Sequence, residues 1–423
     1  MIKEVYPGVY PVACDQTIYV RLKAETVEPV YARIFGMERY TVPHTPRYRI
    51  DEYDRHPFHK LENLGGGLYS LTYNFPYEQR YRLRFKIGET DLDETVDLYA
   101  LQPDLLELQV YKGDTHLHSN CSDGDEAPLE VAVNYRKAGF DFIALTDHHR
   151  MWPSVELKKT VEKLTVQFTV IRAEEVHNES MGYFHIVNLG GSFSVNTVIE
   201  EDYSRADREV EALMETMEFP PEADPKACAW RKWIADQIHR GDGVAVMAHP
   251  FWTCFDEYNV QSADLVYAWR NGQFDALEVL AGNPMDGDNL TVALWADLRA
   301  EGVRIPVVGA SDAHHSTAAG AYFNHHFTLA FAKDREELLS AICQERAVAV
   351  NRRTDTDFFV FGSFRLVKYA RFLLDCYFPG YQRLTLRHGM ALAAAANGGT
   401  QAELAKTEDW LRAYKEKFFA AHR

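Results

Sequence analysis

The sequence predicts an α/β protein flanked by an all-β N-terminal region and a helical C-terminal region. Three observations predict it. From residue 108 to 350, short apolar runs alternate with helical stretches, the rhythm of βα units around a mostly parallel sheet. Residues 1–107 carry only short alternating segments broken by Pro, Gly and Asn. Residues 351–423 return to helical spacing.

In the first region, Thr17-Ile-Tyr-Val-Arg-Leu-Lys23 and Tyr81-Arg-Leu-Arg-Phe-Lys86 alternate polar and apolar positions, and Asn63-Leu-Gly-Gly-Gly67 reads as a turn. Such segments recur roughly every 8–12 residues, as in a sandwich-like β domain. The stretch Leu101–Leu106 reads as a link to the next region. In the second, Pro128–Ala138 is a predicted helix with Gly139 at its C-terminal cap, followed by a strand over Phe142–Thr146. Further strands are expected at Thr169–Ile171, Phe184–Leu189, Val244–Ala248, Ala276–Leu280 and Pro306–Gly309. Residues 192–243 break this rhythm. They are acidic and then helical, with an amphipathic stretch over Ala229–Ile238, and read as an insertion placed to cap a site. In the third region, Phe364, Leu366, Tyr369 and Phe372 share an apolar helical spacing, and Pro379-Gly380 and Asn397-Gly-Gly399 interrupt the helices.

At 423 residues, with 46% hydrophobic and 25% charged residues, the chain has the composition of a globular protein. Its net charge of −17 argues against an extended nucleic-acid surface. Cys14, Cys121, Cys228, Cys254, Cys343 and Cys376 form no CxxC pair and read as free thiols. The N-terminus lacks the pattern of a leader, and no apolar run approaches about 18 residues, so cytoplasmic residence without membrane insertion is the expectation.

The chemistry-bearing residues gather at strand ends. His116 and His118, two apart on a strand, point to one face. Asp123 follows in Ser122-Asp-Gly124, where a plain turn is the competing reading. Asp147, His148 and His149 follow the strand ending at Thr146, and Asp147 is expected to orient a histidine through its ring N–H. Glu174 and Glu175 follow another apolar run, and strand alternation points only one of them inward. His185 lies within an apolar strand, His249 ends a run of small residues, and Asp312 and His314 again stand two apart after a strand. Imidazoles and carboxylates converging at strand ends are the donor set of a polynuclear divalent-metal site. Arg150, His149 and Arg172 are the candidates for contacting substrate, and Trp252 either stacks on substrate or packs in the core.

The ordered set His116-x-His118, Ser122-Asp-Gly124, Thr146-Asp-His148, Glu175, His185, Ala248-His-Pro250 and Ser311-Asp-Ala-His314 resembles the PHP (polymerase and histidinol phosphatase) family. The resemblance covers about residues 110–350 and points to metal-dependent phosphoesterases with an added β domain. It implies a distorted (β/α)7 barrel around two or three divalent ions: manganese, iron or zinc. It implies that His116, His118, Glu175 and Asp312 hold a first metal, that Glu175 bridges to a second held with His185 and His249, and that Asp123, His148 and His314 hold a third. It also favours Glu175 over Glu174. The chain departs from the family at His149, where relatives carry Asp or Asn.

The implied activity is hydrolysis of phosphate esters on a small molecule or nucleotide by a metal-bridged hydroxide, with Glu175, His249 and His314 closest to the chemistry. A carbamate or carboxyl-ester hydrolase on the same site is one alternative, and a binding module with an idle metal core is another. The expected partner is a small phosphorylated substrate, and association through the β domain is left open.

Overall fold

A computed structural model describes residues 1–38, 56–164, 166–177, 184–254, 256–258, 260–282, 285–317 and 323–419. Its contacts divide into two units. One comprises Met1–Gln109, Lys368–Tyr381 and Asp409–Arg423; the other comprises Val110–Val367 and Gln382–Glu408. The C-terminal helices Phe364–Cys376, Phe378–Ala396 and Ala402–Phe419 therefore contribute residues to both.

The first unit holds a four-stranded and a five-stranded sheet. The alternation read from sequence is visible as alternating burial along Asp15–Leu22 and Gln79–Ile87. Inward residues of both sheets form one core, with Ile18, Val20 and Leu71 from one sheet and Val30, Leu83, Phe85 and Leu98 from the other. This is sandwich packing, in which each strand gives one face to the core. Within the same unit, Tyr369 and Phe372 lie against Tyr99 at ring-centroid distances of 5.2 and 5.3 Å. Phe364, on the same predicted stripe, is 77% exposed.

The second unit is built on two sheets. The six-stranded one runs in the order Thr169–Ile171, Phe142–Leu145, Gln109–Leu117, His326–Ala332, Ala347–Arg352, Phe358–Phe361. The five-stranded one runs Ala173–Val176, Ile186–Leu189, Val244–Met247, Ala276–Leu280, Val307–Gly309. Their facing residues share a core rich in small side chains, among them Ala144, Ala173, Ala248, Ala276 and Ala330 beside Phe142, Val187, Val246 and Val308. The α/β reading holds; the expected distorted (β/α)7 barrel is not confirmed, since the strand pairing gives two sheets that do not close. The two sheets meet through isolated bridges, Leu117 with Ala313 and His148 with Glu175, rather than through continuous ladders. The sheet is also less parallel than expected. Ile186–Leu189 pairs antiparallel with both its neighbours, and Ala347–Arg352 with both of its own.

Local features follow the sequence closely. The helix Pro128–Lys137 begins on Pro, and Gly139 just beyond it takes φ +95°, a conformation that only Gly adopts cheaply. Gly113 is needed for close packing, because a Cβ there would lie 2.0 Å from the Phe142 ring on the paired strand. In the insertion, the helices Val195–Glu201, Tyr203–Met214 and Pro225–Arg240 are each capped by a side chain, from Ser194, Asp202 and Asp224. Trp230, Trp233, Ile234 and Ile238 pack the last of these against the five-stranded sheet beside Ile186, Met247 and Leu277. Among the described residues, no helix is long and apolar enough to cross a membrane.

Candidate metal centre

The strand ends are stitched together by backbone hydrogen bonds before any side chain is considered. Thr146 N donates to Leu117 O, Glu175 N to Thr146 O, Asp312 N to His116 O, and His118 N to Ala313 O, at 2.8 to 3.0 Å. These bonds align the ends of four segments, and the ligand-type side chains project from that rim. His185 reaches the same rim differently from the expectation. It precedes the strand Ile186–Leu189 rather than lying inside it. Because that strand runs antiparallel to its neighbours, its N-terminal end lies beside their ligand-bearing ends.

Glu175 is the hub. It is fully buried, and its two oxygens serve different partners. Oε2 lies 3.0 Å from His116 Nε2, 3.2 Å from His118 Nε2 and 3.2 Å from His148 Nδ1. Oε1 lies 2.6 Å from His185 Nδ1 and 3.2 Å from His249 Nε2. Asp312 closes the first set, with Oδ1 3.3 Å from His116 Nε2 and 3.1 Å from His118 Nε2. Asp123 lies 3.2 Å from His314 Nε2, 3.7 Å from His148 Nε2 and 3.6 Å from His118 Nδ1. His314 is oriented by its other nitrogen, Nδ1, which donates to Asp312 O at 3.0 Å and so leaves Nε2 as the acceptor. Two backbones pay for this convergence: Asp312 and His149 hold φ of +50° and +61°, the left-handed region disfavoured for both.

The side chains fall into three groups, in each of which the ligand atoms lie within 4.8 Å of one another. They are His116, His118, Glu175 and Asp312; Glu175, His185 and His249; and His118, Asp123, His148 and His314. The first two are the sets that the family resemblance implies for its first and second metals. The third adds His118 to the three residues implied. Proton counting tests whether ions belong there. His116 Nε2, His148 Nδ1 and Glu175 Oε2 are buried and find no hydrogen-bond partner among the described residues, although the carboxylate oxygen lies 3.0 and 3.2 Å from the two nitrogens. Buried lone pairs converging in this way carry a large penalty, which protons on the rings or a divalent cation would remove. The donor set therefore fits metal. The grouping is the one that the family resemblance of the sequence implies.

The electrostatics agree. Burial alone would lower the pKa of His116, but the carboxylates of Glu175, Glu278 and Asp312 hold it well above its ordinary value. His118, equally desolvated, is pushed up to about 10 by Asp312 and Glu175. Burial would raise Glu175 and Asp312, yet the histidines around them hold both well below the usual carboxylate range. The pocket is thus strongly negative and attracts positive charge, whether protons or metal ions.

Glu174, the rejected alternative, is also buried, but on the other face of its strand. It accepts from Ser194 Oγ (2.6 Å), Val195 N (2.6 Å), Asn188 Nδ2 (3.0 Å) and Asn196 Nδ2 (3.0 Å), and so anchors the start of the insertion. Asp147 departs from its expected role. It accepts from Ser119 N and Ser122 Oγ, each at 2.8 Å, and fixes the 119–122 turn instead of a histidine ring. The substrate candidates are scattered. His149 sits at the rim, its ring 5.3 Å from that of His177, with Nδ1 3.8 Å from Glu200 Oε1. Arg150 is exposed beside it. Arg172 lies where the chain crosses between the sheets and donates to Gly190 O at 3.2 Å, so the structure does not bring it to the metal groups. Trp252 is half-buried, its ring 5.8 Å from both His185 and His249.

Three residues near the site had not been singled out. His177 lies 4.5 Å, ring to ring, from His185, and burial pulls its pKa down to about 4. Asp114 accepts from His116 N, Ser311 N and the Tyr135 hydroxyl, tying the first histidine strand to the Asp312 turn; burial pushes its pKa up to about 6. Glu278 accepts from both the His116 ring and His249 N. The signal for Glu278 was visible, since it is the one charged residue of the apolar strand Ala276-Leu-Glu-Val-Leu280.

No family model matches the chain. It is 36% identical over 106 residues to the DNA polymerase/3′-5′ exonuclease PolX of Bacillus subtilis, a stretch that covers 23% of this chain and 18% of that protein. The chain thus spans under a fifth of the length of that relative. Among solved structures, it is similar to a two-domain protein containing a predicted PHP-like metal-dependent phosphoesterase from Bacteroides vulgatus, with 18% identity, 57% of this chain and 65% of that one covered, and a TM-score of 0.40. It is also similar to a proposed metal-dependent phosphoesterase from Bifidobacterium adolescentis, with 18% identity, coverage of 49% and 90%, and a TM-score of 0.35.

Proposed function

We propose that the chain is a metal-dependent hydrolase of phosphate esters, acting on a small molecule or nucleotide. The observation that carries the reading is the division of Glu175 between two ligand groups, one on each carboxylate oxygen. The first metal would be held by His116, His118, Glu175 and Asp312, the second by Glu175, His185 and His249, and a third by Asp123, His148 and His314 with His118 beside them. When bound, two or three ions (manganese, iron or zinc) supply an activated water and neutralise phosphate charge.

The chain's own residues do the rest. Glu175 and Asp312 keep the centre anionic. His249, from the second group, and His314, from the third, would lie closest to the reacting phosphate. His149 and the exposed Arg150 stand at the rim, where they offer donors to phosphate oxygens. Arg172, which donates from one guanidinium nitrogen to Gly190 O, is the weaker candidate for this role. The exonuclease in the relative's name is a phosphodiester activity, which supports phosphate chemistry. The net charge of −17 favours a small substrate over a long nucleic acid.

The test compares metal-stripped and reconstituted protein, both checked for folding by circular dichroism, on nitrophenyl phosphate and nitrophenyl carbamate. The reading expects phosphate turnover that disappears with the metal. Undiminished rates in the stripped, folded sample would overturn it. Carbamate turnover alone would reassign the site to carboxyl-derived esters.

A further inference from the structure

The buried carboxylate of Glu278 touches two different ligand groups without belonging to either. It is 1% exposed, in the middle of the apolar strand Ala276–Leu280. Its Oε1 lies 2.9 Å from His116 Nδ1, and its Oε2 accepts from His249 N at 3.0 Å. A buried carboxylate between apolar neighbours is expensive unless both oxygens have donors, and here both do. Oε2 accepts from a backbone N–H, and a carboxylate oxygen at Oε1 accepts in the same way, which places the shared hydrogen on His116 Nδ1. In the neutral ring that a metal ligand requires, His116 Nε2 is then the lone-pair nitrogen, and it faces Glu175 Oε2 and Asp312 Oδ1.

We infer that Glu278 is a positioning residue that sets the His116 tautomer and thereby aims Nε2 as a metal ligand, while its second oxygen ties the His249 segment to the same strand. The inference rests on the metal-centre reading above. It gives one buried side chain control over the first and second ligand groups together.

Glu278→Gln tests it, because the substitution keeps size and hydrogen-bond number but reverses polarity at one end. The amide oxygen must face His249 N, which can only donate. The amide NH2 then faces His116 Nδ1 and donates to it, moving the ring proton to Nε2, where it blocks the lone pair. The full-length chain, stripped of metal, is titrated with zinc ion alone against a competing chelator, and its bound zinc is counted. Glu278→Gln should fold with a metal-free melting temperature close to wild type and bind zinc roughly 10–100-fold more weakly. Glu278→Asp keeps the acceptor polarity and should recover part of that loss.

Equal zinc affinity in folded wild type and Glu278→Gln overturns the inference while leaving the metal reading intact. So does a Glu278→Asp chain as impaired as Glu278→Gln, since polarity would then not matter. A Glu278→Gln chain that does not fold assigns Glu278 to the core alone. A wild-type chain that binds no zinc, manganese or iron removes both readings.

Discussion

Two clusters in the second unit are built from the same residue types and behave differently. In one, Arg136 Nε donates to His388 Nδ1 at 2.9 Å, and His388 Nε2 donates to Glu408 Oε1 at 2.7 Å. Glu408 Oε1 also accepts Gln167 N at 2.6 Å, and Arg136 bonds to Asp141 and to Phe140 O. In the other cluster, at the strand-end rim, His116 Nε2 and Glu175 Oε2 face one another with no hydrogen bond between them. A histidine beside a carboxylate is therefore not in itself a metal site. Around His388, both ring nitrogens have a partner of the right polarity, so the ring needs no cation. Around Glu175, buried ring nitrogens and a carboxylate oxygen are left without hydrogen-bond partners, an arrangement that fits a cation.

Substitutions at the two clusters should separate these roles. The largest effect is expected for Glu175→Gln, which takes charge from two ligand groups at once. Phosphate-ester turnover should fall by more than the roughly 100-fold upper range for loss of an outer-shell partner, with the melting temperature of the metal-free protein retained. Steady-state kinetics beside thermal melts would show it, and a variant that simply unfolds would break the comparison. Glu408→Ala should do the reverse. It strands Gln167 N and the His388 ring, lowering stability by about 1–3 kcal/mol in urea titrations while bound metal per chain stays the same. Metal loss in that variant would mean the two clusters are one system.

A smaller effect should appear with pH. Burial and the nearby Arg136 hold His388 below its ordinary value of 6.5, against the opposing pull of Glu408, with Arg335 adding to the depression. Below pH 6.5 the unfolded chain takes up a proton that the folded chain refuses, so stability falls as pH falls. Between about pH 7.5 and about pH 5.5, the urea midpoint of wild type should drop more than that of His388→Gln. Parallel slopes would remove His388 as a contributor. The smallest effect is expected for Arg172→Ala, which removes one hydrogen bond to Gly190 O. It should cost about 1 kcal/mol of stability and leave KM for a phosphate ester within about twofold. A large rise in KM would return Arg172 to the substrate.

The elements were legible wherever periodicity and punctuation agreed. Gly139 marked the end of its helix, and the apolar runs at Phe142, Thr169, Val244 and Ala276 became strands. The candidate ligands were legible because His, Asp and Glu directly after apolar strands are hard to explain in any other way. Partner choice was less legible. Asp147 stood among histidines in sequence but found Ser119 and Ser122 in space. Glu278 stood alone in an apolar run and found two histidine segments. The sandwich-like pairing of the first unit followed from alternation, whereas the openness of the second unit's sheets did not, because alternation specifies which face is buried and not which edges meet.

By itself, then, the sequence determined the α/β rhythm, the β-rich first region and the identity of the ligand-type residues, since these depend on local patterns of burial and side-chain chemistry. Only the tertiary structure decided how those residues are shared. Which oxygen of Glu175 meets which ring, the antiparallel strand that carries His185 to the rim, and the carboxylate behind His116 are contacts between segments far apart in the chain. No local pattern encodes such contacts, because a side chain's protons and lone pairs find their partners only when the strand ends are brought together.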